Sequence, residues 1–324
     1  MKNIPKISIV ITTYNRPIYL EKIIDKLSLS NISNEILICD GGSKLNSKNK
    51  IKKLIIKYNF HNIKYFDVGV NNHSKKRNKG IKSASGKYII LLDDDCVPEK
   101  KFLEKYFLLL EKYKYSNNFF CGSVLFPKNL MKKKFIQFRQ SRHFVIKKNQ
   151  NYLRKILHPR NIVTMNMAFK KKSLEDKKIF FYEKFNIYGF EDYEFGYRLR
   201  QNNINIVACD PLVFHHDERS FKKYLDKIKF VGYEGGDYLV KLNKKASLEN
   251  NFIKIQNNFI IKYIKKFNFF YKVLSFVEKR FIYLENKISF PNFLYQILTA
   301  NAYLIGHLMP KNKKNDKIFS GWYK

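Results

Sequence analysis

The chain reads as an α/β protein, a mainly parallel sheet flanked by helices and followed by a C-terminal helical extension. Three observations lead there. Apolar, β-branched runs alternate with amphipathic stretches through the first hundred residues, the pattern of strands linked by crossover helices. These runs end in polar loops, one of them at the consecutive aspartates Asp93, Asp94 and Asp95. Beyond Ser220 this alternation stops, and lysines are interleaved with aromatic and aliphatic residues at helical spacing.

Taken in order, the first strand is Ile7 to Thr13, which runs into the polar loop Tyr14-Asn15-Arg16-Pro17 and the amphipathic stretch Ile18 to Leu29. The second strand, Glu35 to Cys39, ends at Asp40-Gly41-Gly42-Ser43. A helix over Ile51 to Tyr58, a short strand over Ile63 to Phe66 and a helical stretch from Ser74 to Ala84 follow. The run from Tyr88 to Leu92 then delivers the three aspartates. Sheets of this kind bind ligands at the carboxyl ends of their strands, so these loops are expected to line one crevice.

Three adjacent carboxylates at the end of a buried strand repel one another and call for a cation. Mg2+ and Mn2+ favour carboxylate oxygens and often complete their shells with phosphates, which makes a metal-bound diphosphate the natural partner. A strand-terminating turn ahead of Pro98 is the plainer account of an isolated triple aspartate. The neighbouring loops favour the cation.

With these pieces in hand, the sequence resembles the family 2 inverting glycosyltransferases of the GT-A fold, a Rossmann-like architecture. The resemblance rests on Thr12-Thr13-Tyr14-Asn15-Arg16-Pro17, Cys39-Asp40-Gly41-Gly42-Ser43, Lys76-Arg77-Asn78-Lys79-Gly80 with Ala84-Ser85-Gly86-Lys87-Tyr88-Ile89, and Asp93-Asp94-Asp95, in family order and at family-like spacing. It implies that Thr13, Tyr14, Asp40 and Arg77 surround the nucleotide base and ribose. It places Asp93, with Asp94 beside it, on the sugar nucleotide and Asp95 on a divalent metal, Mn2+ or Mg2+. Two positions depart from the family pattern: Gly41 stands where an acidic residue is usual, and Lys76 replaces a common small residue.

About a hundred residues later, Tyr188-Gly189-Phe190-Glu191-Asp192-Tyr193-Glu194-Phe195 opens a predicted helix whose Phe195 and Leu199 share a buried face. Glu191 and Asp192 fall in or just before its first turn, where the helix dipole favours ionised carboxylates; ordinary helix-starting acids would look the same. The block resembles the Glu-Asp motif of chondroitin-polymerase-like and galactosyltransferase-like members. That implies Asp192 as the base that takes the acceptor proton and Glu191 as an acceptor contact. Ile206 to Phe214 is a further strand-like run that delivers His215-His216-Asp217. Phe214-His215 matches an aromatic-His pair that completes the metal shell in similar enzymes, so the resemblance puts His215 on the metal. The segment Arg160 to Phe169 resembles the acceptor-side strand, with Asn166 as a sugar contact.

Several other chemistries are excluded. Neither a G-x-x-x-x-G-K-[ST] loop nor a G-x-G-x-x-G turn occurs, which argues against P-loop NTPases, kinases and nicotinamide dehydrogenases. Cys39, Cys96, Cys121 and Cys209 form no C-x-x-C pair and read as free thiols of a reducing cytoplasm. The start Met1 to Lys6 passes directly into a strand, which predicts no secretory leader and a cytoplasmic location.

The 63 Lys and Arg against 27 Asp and Glu give a net charge of +36. Nucleic acid, an anionic membrane surface and a compositional bias towards Lys, Asn, Ile, Tyr and Phe each account for such an excess. No zinc-finger or RNP motif is present, and no nucleic-acid partner is expected. The sequence predicts a catalytic domain over residues 1–220, with a nucleotide-sugar-binding half to residue 100 and an acceptor half over 101–220. A basic, aromatic extension occupies 221–324. Within the extension, the stretch Phe259 to Lys272 suits a helix lying at a bilayer interface or a stripe packed on the rest of the chain. Ser289 to Pro310 is uncharged, but its polar residues favour a buried or interfacial helix over a membrane span.

The expected activity is metal-dependent transfer of a hexose or N-acetylhexosamine from a UDP-sugar to a glycan or lipid-linked glycan acceptor, for capsule, lipooligosaccharide or similar surface polysaccharide, by a cytoplasmic enzyme peripheral to the inner membrane face. The rival readings are a basic nucleic-acid-binding protein and a nucleotide-sugar binder or nucleotidylyltransferase. The last usually needs a glycine-rich N-terminal loop, which Thr12 to Pro17 lacks.

Overall fold

The computed structural model describes residues 5–59, 62–185 and 188–323. The first elements are β1 (Ile7–Thr13), α1 (Ile18–Ser28), β2 (Asn34–Asp40), α2 (Leu45–Lys57), β3 (Ile63–Asp67), α3 (His73–Ser83) and β4 (Tyr88–Asp93). They are followed by β5 (Cys96–Pro98), α4 (Phe102–Lys112), β6 (Phe119–Leu125), α5 (Lys134–Gln140), β7 (Asn166–Lys170), α6 (Lys171–Glu175), α7 (Glu191–Gln201) and β8 (Ile206–His215). The remainder is helical: α8 (Phe221–Phe230), α9 (Gly236–Leu242), α10 (Lys244–Glu249), α11 (Asn251–Gln256), α12 (Phe259–Ile264), α13 (Phe269–Glu285), α14 (Asn292–Leu308) and α15 (Lys313–Tyr323). The chain divides into two compact units. One comprises Met1–Pro127, Arg142–Lys184 and Glu191–Asp217; the other comprises Lys128–Ser141, Phe185–Phe190 and Glu218–Lys324.

The first unit holds an eight-stranded sheet in the order β3-β2-β1-β4-β7-β6-β8-β5. The β3-β2-β1-β4 half is wholly parallel, and β6 runs parallel to β8. Strand β7 enters antiparallel between β4 and β6, and β5 pairs antiparallel with β8 at the edge. Four of the seven strand pairings are thus parallel, as expected, and the antiparallel ones come from the placement of β7 and β5. All seven residues of β1 are buried, as expected of a strand covered on both faces. In α1, Leu20, Ile23, Ile24 and Leu27 recur at helical spacing and are buried. Helix α2 starts at Leu45, ahead of the expected Ile51, because its first turns are polar and carry no apolar period.

Helix α3 is almost entirely polar, yet Ser74, Lys76, Arg77, Asn78, Gly80 and Ile81 are buried. Its glycine makes this possible: a Cβ on Gly80 would lie 2.2 Å from Val10 Cγ1, so only glycine lets the helix press onto the sheet. Asn72 caps the helix by accepting from Lys75 N at 2.9 Å. This close seating aims Lys76 and Arg77 at the carboxyl ends of β1 and β4.

In the second unit, α8 continues through a π turn at Val231–Gly235 into α9. Helix α14 occupies this uncharged stretch, with Tyr295, Leu298, Ala302, Tyr303 and Ile305 buried and Phe293 and Ile297 exposed. Glycines allow its close crossing with α8: a Cβ on Gly306 would lie 1.9 Å from Lys229 O, and one on Gly232 would lie 2.0 Å from Tyr303 O. No helix among the described residues is long and apolar enough to cross a membrane. The four cysteines are free and buried.

Candidate active site

The parallel register of β1 and β4 sets Thr12 opposite Asp93. Thr12 Oγ1 donates to Asp93 Oδ1 at 3.3 Å, and Thr13 Oγ1 donates to Asp94 Oδ2 at 2.7 Å. From the loop after β1, Arg16 clamps the other two carboxylates. Its Nη2 lies 2.7 Å from Asp94 Oδ1, its Nη1 lies 2.6 Å from Asp95 Oδ2, and its side chain remains 48% exposed. Burial would lower the Arg16 pKa, but the charges of Asp94, Asp95 and Asp93 raise it instead. Burial pushes the Asp94 carboxyl above the ordinary aspartate range against the pull of Arg16, with Asp95 adding to the rise.

The antiparallel register of β5 and β8 sets Cys96 opposite His215. His215 Nε2 then lies 3.6 Å from Asp95 Oδ1, while His216 N donates to the Asp95 carbonyl at 2.8 Å and the His216 ring packs on Tyr19. Burial would raise Asp95, but His215 and Arg16 hold it below the usual range. Donor atoms of Asp95, Cys96 and His215 all lie within 4.8 Å of one another. Burial drives the Cys96 thiol well above its ordinary pKa, and a thiolate suits softer metals than the hard ions that carboxylates select. The usable donors are a carboxylate and an imidazole, a set that fits Mn2+ and, with fewer protein ligands, Mg2+.

Arg77 joins the two halves of the site. Its buried guanidinium donates from Nη1 to Asp192 Oδ1 at 2.9 Å, lies 3.5 Å from Asp93 Oδ1 through Nη2, and sits over the Phe181 ring at 5.3 Å. The second oxygen of Asp192 accepts from Thr164 Oγ1 at 2.7 Å. Asp192 is thus held at both oxygens while its side chain keeps 34% exposure. Lys76 is buried beside them, with Nζ 2.9 Å from Asn71 Oδ1 and 3.4 Å from the Thr13 carbonyl, and burial lowers its ammonium pKa to about 8.

Asp93, Asp94, Asp95, Thr13, Arg77, Asp192 and His215 are therefore gathered into one connected network. Glu191 is buried at the start of α7, next to Asp192, and Tyr14 is half-buried in the loop after β1. Asp40 is fully buried; its Oδ1 accepts from Ser43 N at 3.0 Å and Ser43 Oγ at 2.6 Å, and its Oδ2 accepts from Tyr65 OH at 2.7 Å. It shapes the turn after β2, where Gly42 has φ +82°. Asn166 lies on β7. It is fully buried, accepting from Tyr106 OH at 2.7 Å and donating to the carbonyls of Ser123 and Pro211 at 2.9 and 3.0 Å. A Cβ on Gly122 would fall 2.2 Å from its Nδ2, so glycine in β6 makes room for this internal bond.

Sequence reasoning did not single out Arg16, Thr164 or Lys76 as parts of the site. Arg16 sits in a quoted motif, and an arginine beside three carboxylates is the signal that would have found it. Thr164 carries no such signal, since its role depends on a loop meeting α7.

With this geometry established, the chain belongs to glycosyltransferase family 2: the family profile described as "Glycosyl transferase family 2" matches residues 8–176. Among relatives, it is 35% identical over 101 residues to a dolichyl N-acetyl-alpha-D-glucosaminyl phosphate 3-beta-D-2,3-diacetamido-2,3-dideoxy-beta-D-glucuronosyltransferase of Methanococcus voltae, covering 30% of this chain and 32% of that protein. It is 27% identical over 248 residues to chondroitin synthase of Escherichia coli, covering 65% of this chain and 34% of that protein. The chain thus spans about a third of the length of these curated relatives. Among solved structures, a mannosyltransferase of Pyrobaculum calidifontis in complex with GDP-Man and Mn2+ superposes with a TM-score of 0.55 at 13% identity, covering 94% of this chain and 86% of that one. At that identity the likeness concerns the fold, which is GT-A.

Proposed function

We propose that the chain is a metal-dependent inverting glycosyltransferase that moves a hexose or N-acetylhexosamine from a UDP-sugar to a glycan acceptor. The acceptor is a growing surface polysaccharide of the capsule or lipooligosaccharide kind, free or lipid-linked. The observation that carries this reading is the Arg77 bridge, which ties the strand-end carboxylate Asp93 to the helix-start carboxylate Asp192. A nucleotidylyltransferase or simple nucleotide-sugar binder leaves the second carboxylate without work.

Asp95 and His215 would hold Mn2+ or Mg2+, which when bound neutralises charge developing on the diphosphate leaving group. The remaining roles fall to side chains. Asp192 takes the proton of the acceptor hydroxyl as it attacks the anomeric carbon from the face opposite the nucleotide, a contribution of about 10^2 to 10^4 in rate. Its hydrogen bonds from Arg77 and Thr164 orient the carboxylate, and its exposure leaves it reachable by an acceptor. Glu191 contacts the acceptor. Thr13, Tyr14 and Asp40 form the nucleotide side, with Asp40 acting through the turn it shapes, and Asp93 and Asp94 contact the sugar nucleotide. The relative from Methanococcus voltae is named for a dolichyl N-acetyl-alpha-D-glucosaminyl phosphate, which supports a lipid-linked acceptor here. Such an acceptor places the enzyme on the cytoplasmic face of the membrane as a peripheral protein.

The test is nucleotide release from a panel of UDP-sugars and GDP-mannose, with Mn2+ and after chelation. Metal-dependent release from one UDP-sugar is expected. Release from none of the panel under either condition overturns the reading.

A further inference from the structure

The helices α12 and α13 carry an apolar surface that the second unit leaves in solvent. No residue of α12 is buried, and in the 17 residues of α13 only Glu278 is. Glu278 fixes which side of α13 faces inward, because it accepts from Lys229 Nζ of α8 at 2.7 Å. Placed at helical spacing, Leu274, Glu278 and Phe281 share that inner side. The adjoining side carries Phe269, Val273, Phe276, Val277 and Leu284, exposed by 68, 39, 58, 40 and 40%, with the exposed Arg280 among them and its guanidinium over the Phe276 ring. At 3.6 residues per turn these positions fall within a stripe of about 100°.

The surface continues beyond α13. The exposed rings of Tyr263, Phe267 and Phe270 form a chain of contacts, at 5.4 Å and then 6.4 Å between centroids, that links the end of α12 to the start of α13. Cations border it. Lys262, Lys266, Lys272 and Lys279 are exposed, and the segment from Asn251 to Phe290 contains eight basic residues and two acidic ones.

We infer that α12 and α13 form an interfacial membrane-docking face for an anionic bilayer, lying in the headgroup region with the rings inserted and the lysines on lipid phosphates and carboxylates. An exposed apolar stripe edged by lysines is the arrangement that binds such interfaces. The charge selects this occupant: two copies of a face so strongly basic repel each other, whereas an anionic leaflet attracts it and accepts the rings. The inference rests on the peripheral-membrane reading above, to which it adds the surface and the lipid class, and it is independent of the sugar chemistry.

The experiment is flotation of the full chain with vesicles of phosphatidylcholine alone and of phosphatidylcholine with phosphatidylserine, at low and high salt. Wild type is compared with Phe276→Asp and with the pair Lys272→Glu, Lys279→Glu; circular dichroism checks that each variant folds. Wild type is expected to float with the anionic vesicles and to be released by salt. Each lysine reversal should weaken partitioning by about fivefold or more, and Phe276→Asp by about tenfold or more. Binding by wild type that folded variants retain in full overturns the assignment of this face but leaves the peripheral reading standing. No binding to either vesicle overturns both. Binding of RNA or DNA in place of vesicles, or self-association in sedimentation, overturns the bilayer as occupant if the same variants abolish it.

Discussion

Replacing Arg77 with methionine keeps much of the side chain's bulk and removes a cation that Asp93 and Asp192 share. The Arg77 side chain is 4% exposed, whereas Asp93 and Asp192 are 22% and 34% exposed. Removing one partner of a buried ion pair costs about 3 to 5 kcal/mol. Water reaches both acids here, which puts Arg77→Met at the low end, about 3 kcal/mol. Part of that loss belongs to the Asp192 contact at 2.9 Å, a charge-assisted bond worth about 1.5 to 3 kcal/mol before screening. A double-mutant cycle with Asp192→Asn, read by urea denaturation of the two single variants and the double, should therefore show a coupling of about 1.5 kcal/mol. Coupling below about 0.5 kcal/mol, the range of independent sites, would refute the claim that this bridge joins the two halves of the site.

The other predictions concern the scaffold. Glu35 is buried on β2 opposite Ser8 of β1, accepting from Ser8 Oγ at 2.6 Å, Ser85 N at 2.6 Å and Lys64 Nζ at 2.7 Å. Burial pushes its carboxyl up, but the bonds from Lys64, Ser8 and Ser85 outweigh this and bring it from 4.5 down to about 2. As pH falls the unfolded chain takes up the proton first, so the stabilisation, about 3 kcal/mol, is complete well above pH 4.5 and is lost between there and about pH 2. Glu35→Gln should flatten the stability profile in that window, as followed by denaturant midpoints across acid pH. Gly306→Ala must push α14 away from the Lys229 carbonyl, and overpacking of this kind costs about 1 to 3 kcal/mol or more; a lowered midpoint in thermal unfolding checks it.

The parts of the fold legible in the sequence were those whose signal is local. β1 and β4 are continuous buried runs, α1 repeats its apolar residues at helical spacing, and Asp93 to Asp95 stand where a strand ends. Phe195 and Leu199 marked the buried side of α7, and both are fully buried. What escaped depends on pairing between distant segments. The antiparallel entry of β7 between β4 and β6 leaves no mark in its five residues. The polar side chain of Asn166 gave no hint in the sequence that Tyr106, Ser123 and Pro211 would bond it inside the core. Arg77 was placed beside the nucleotide from resemblance, and its tie to Asp192 needed α3 and α7 brought together. The exposed side of α13 was equally hidden, since periodicity identifies an apolar stripe without saying what covers it.

The central claim is that Asp192 acts as the base of a glycosyl transfer, and Asp192→Asn addresses it most directly. The substitution retains the size of the side chain and an oxygen able to accept from Thr164. With the donor identified by the panel, nucleotide release and donor affinity would be measured for wild type and Asp192→Asn. The account predicts donor affinity within a few-fold of wild type and release slower by about 10^2 to 10^4. Release within about tenfold of wild type would contradict it.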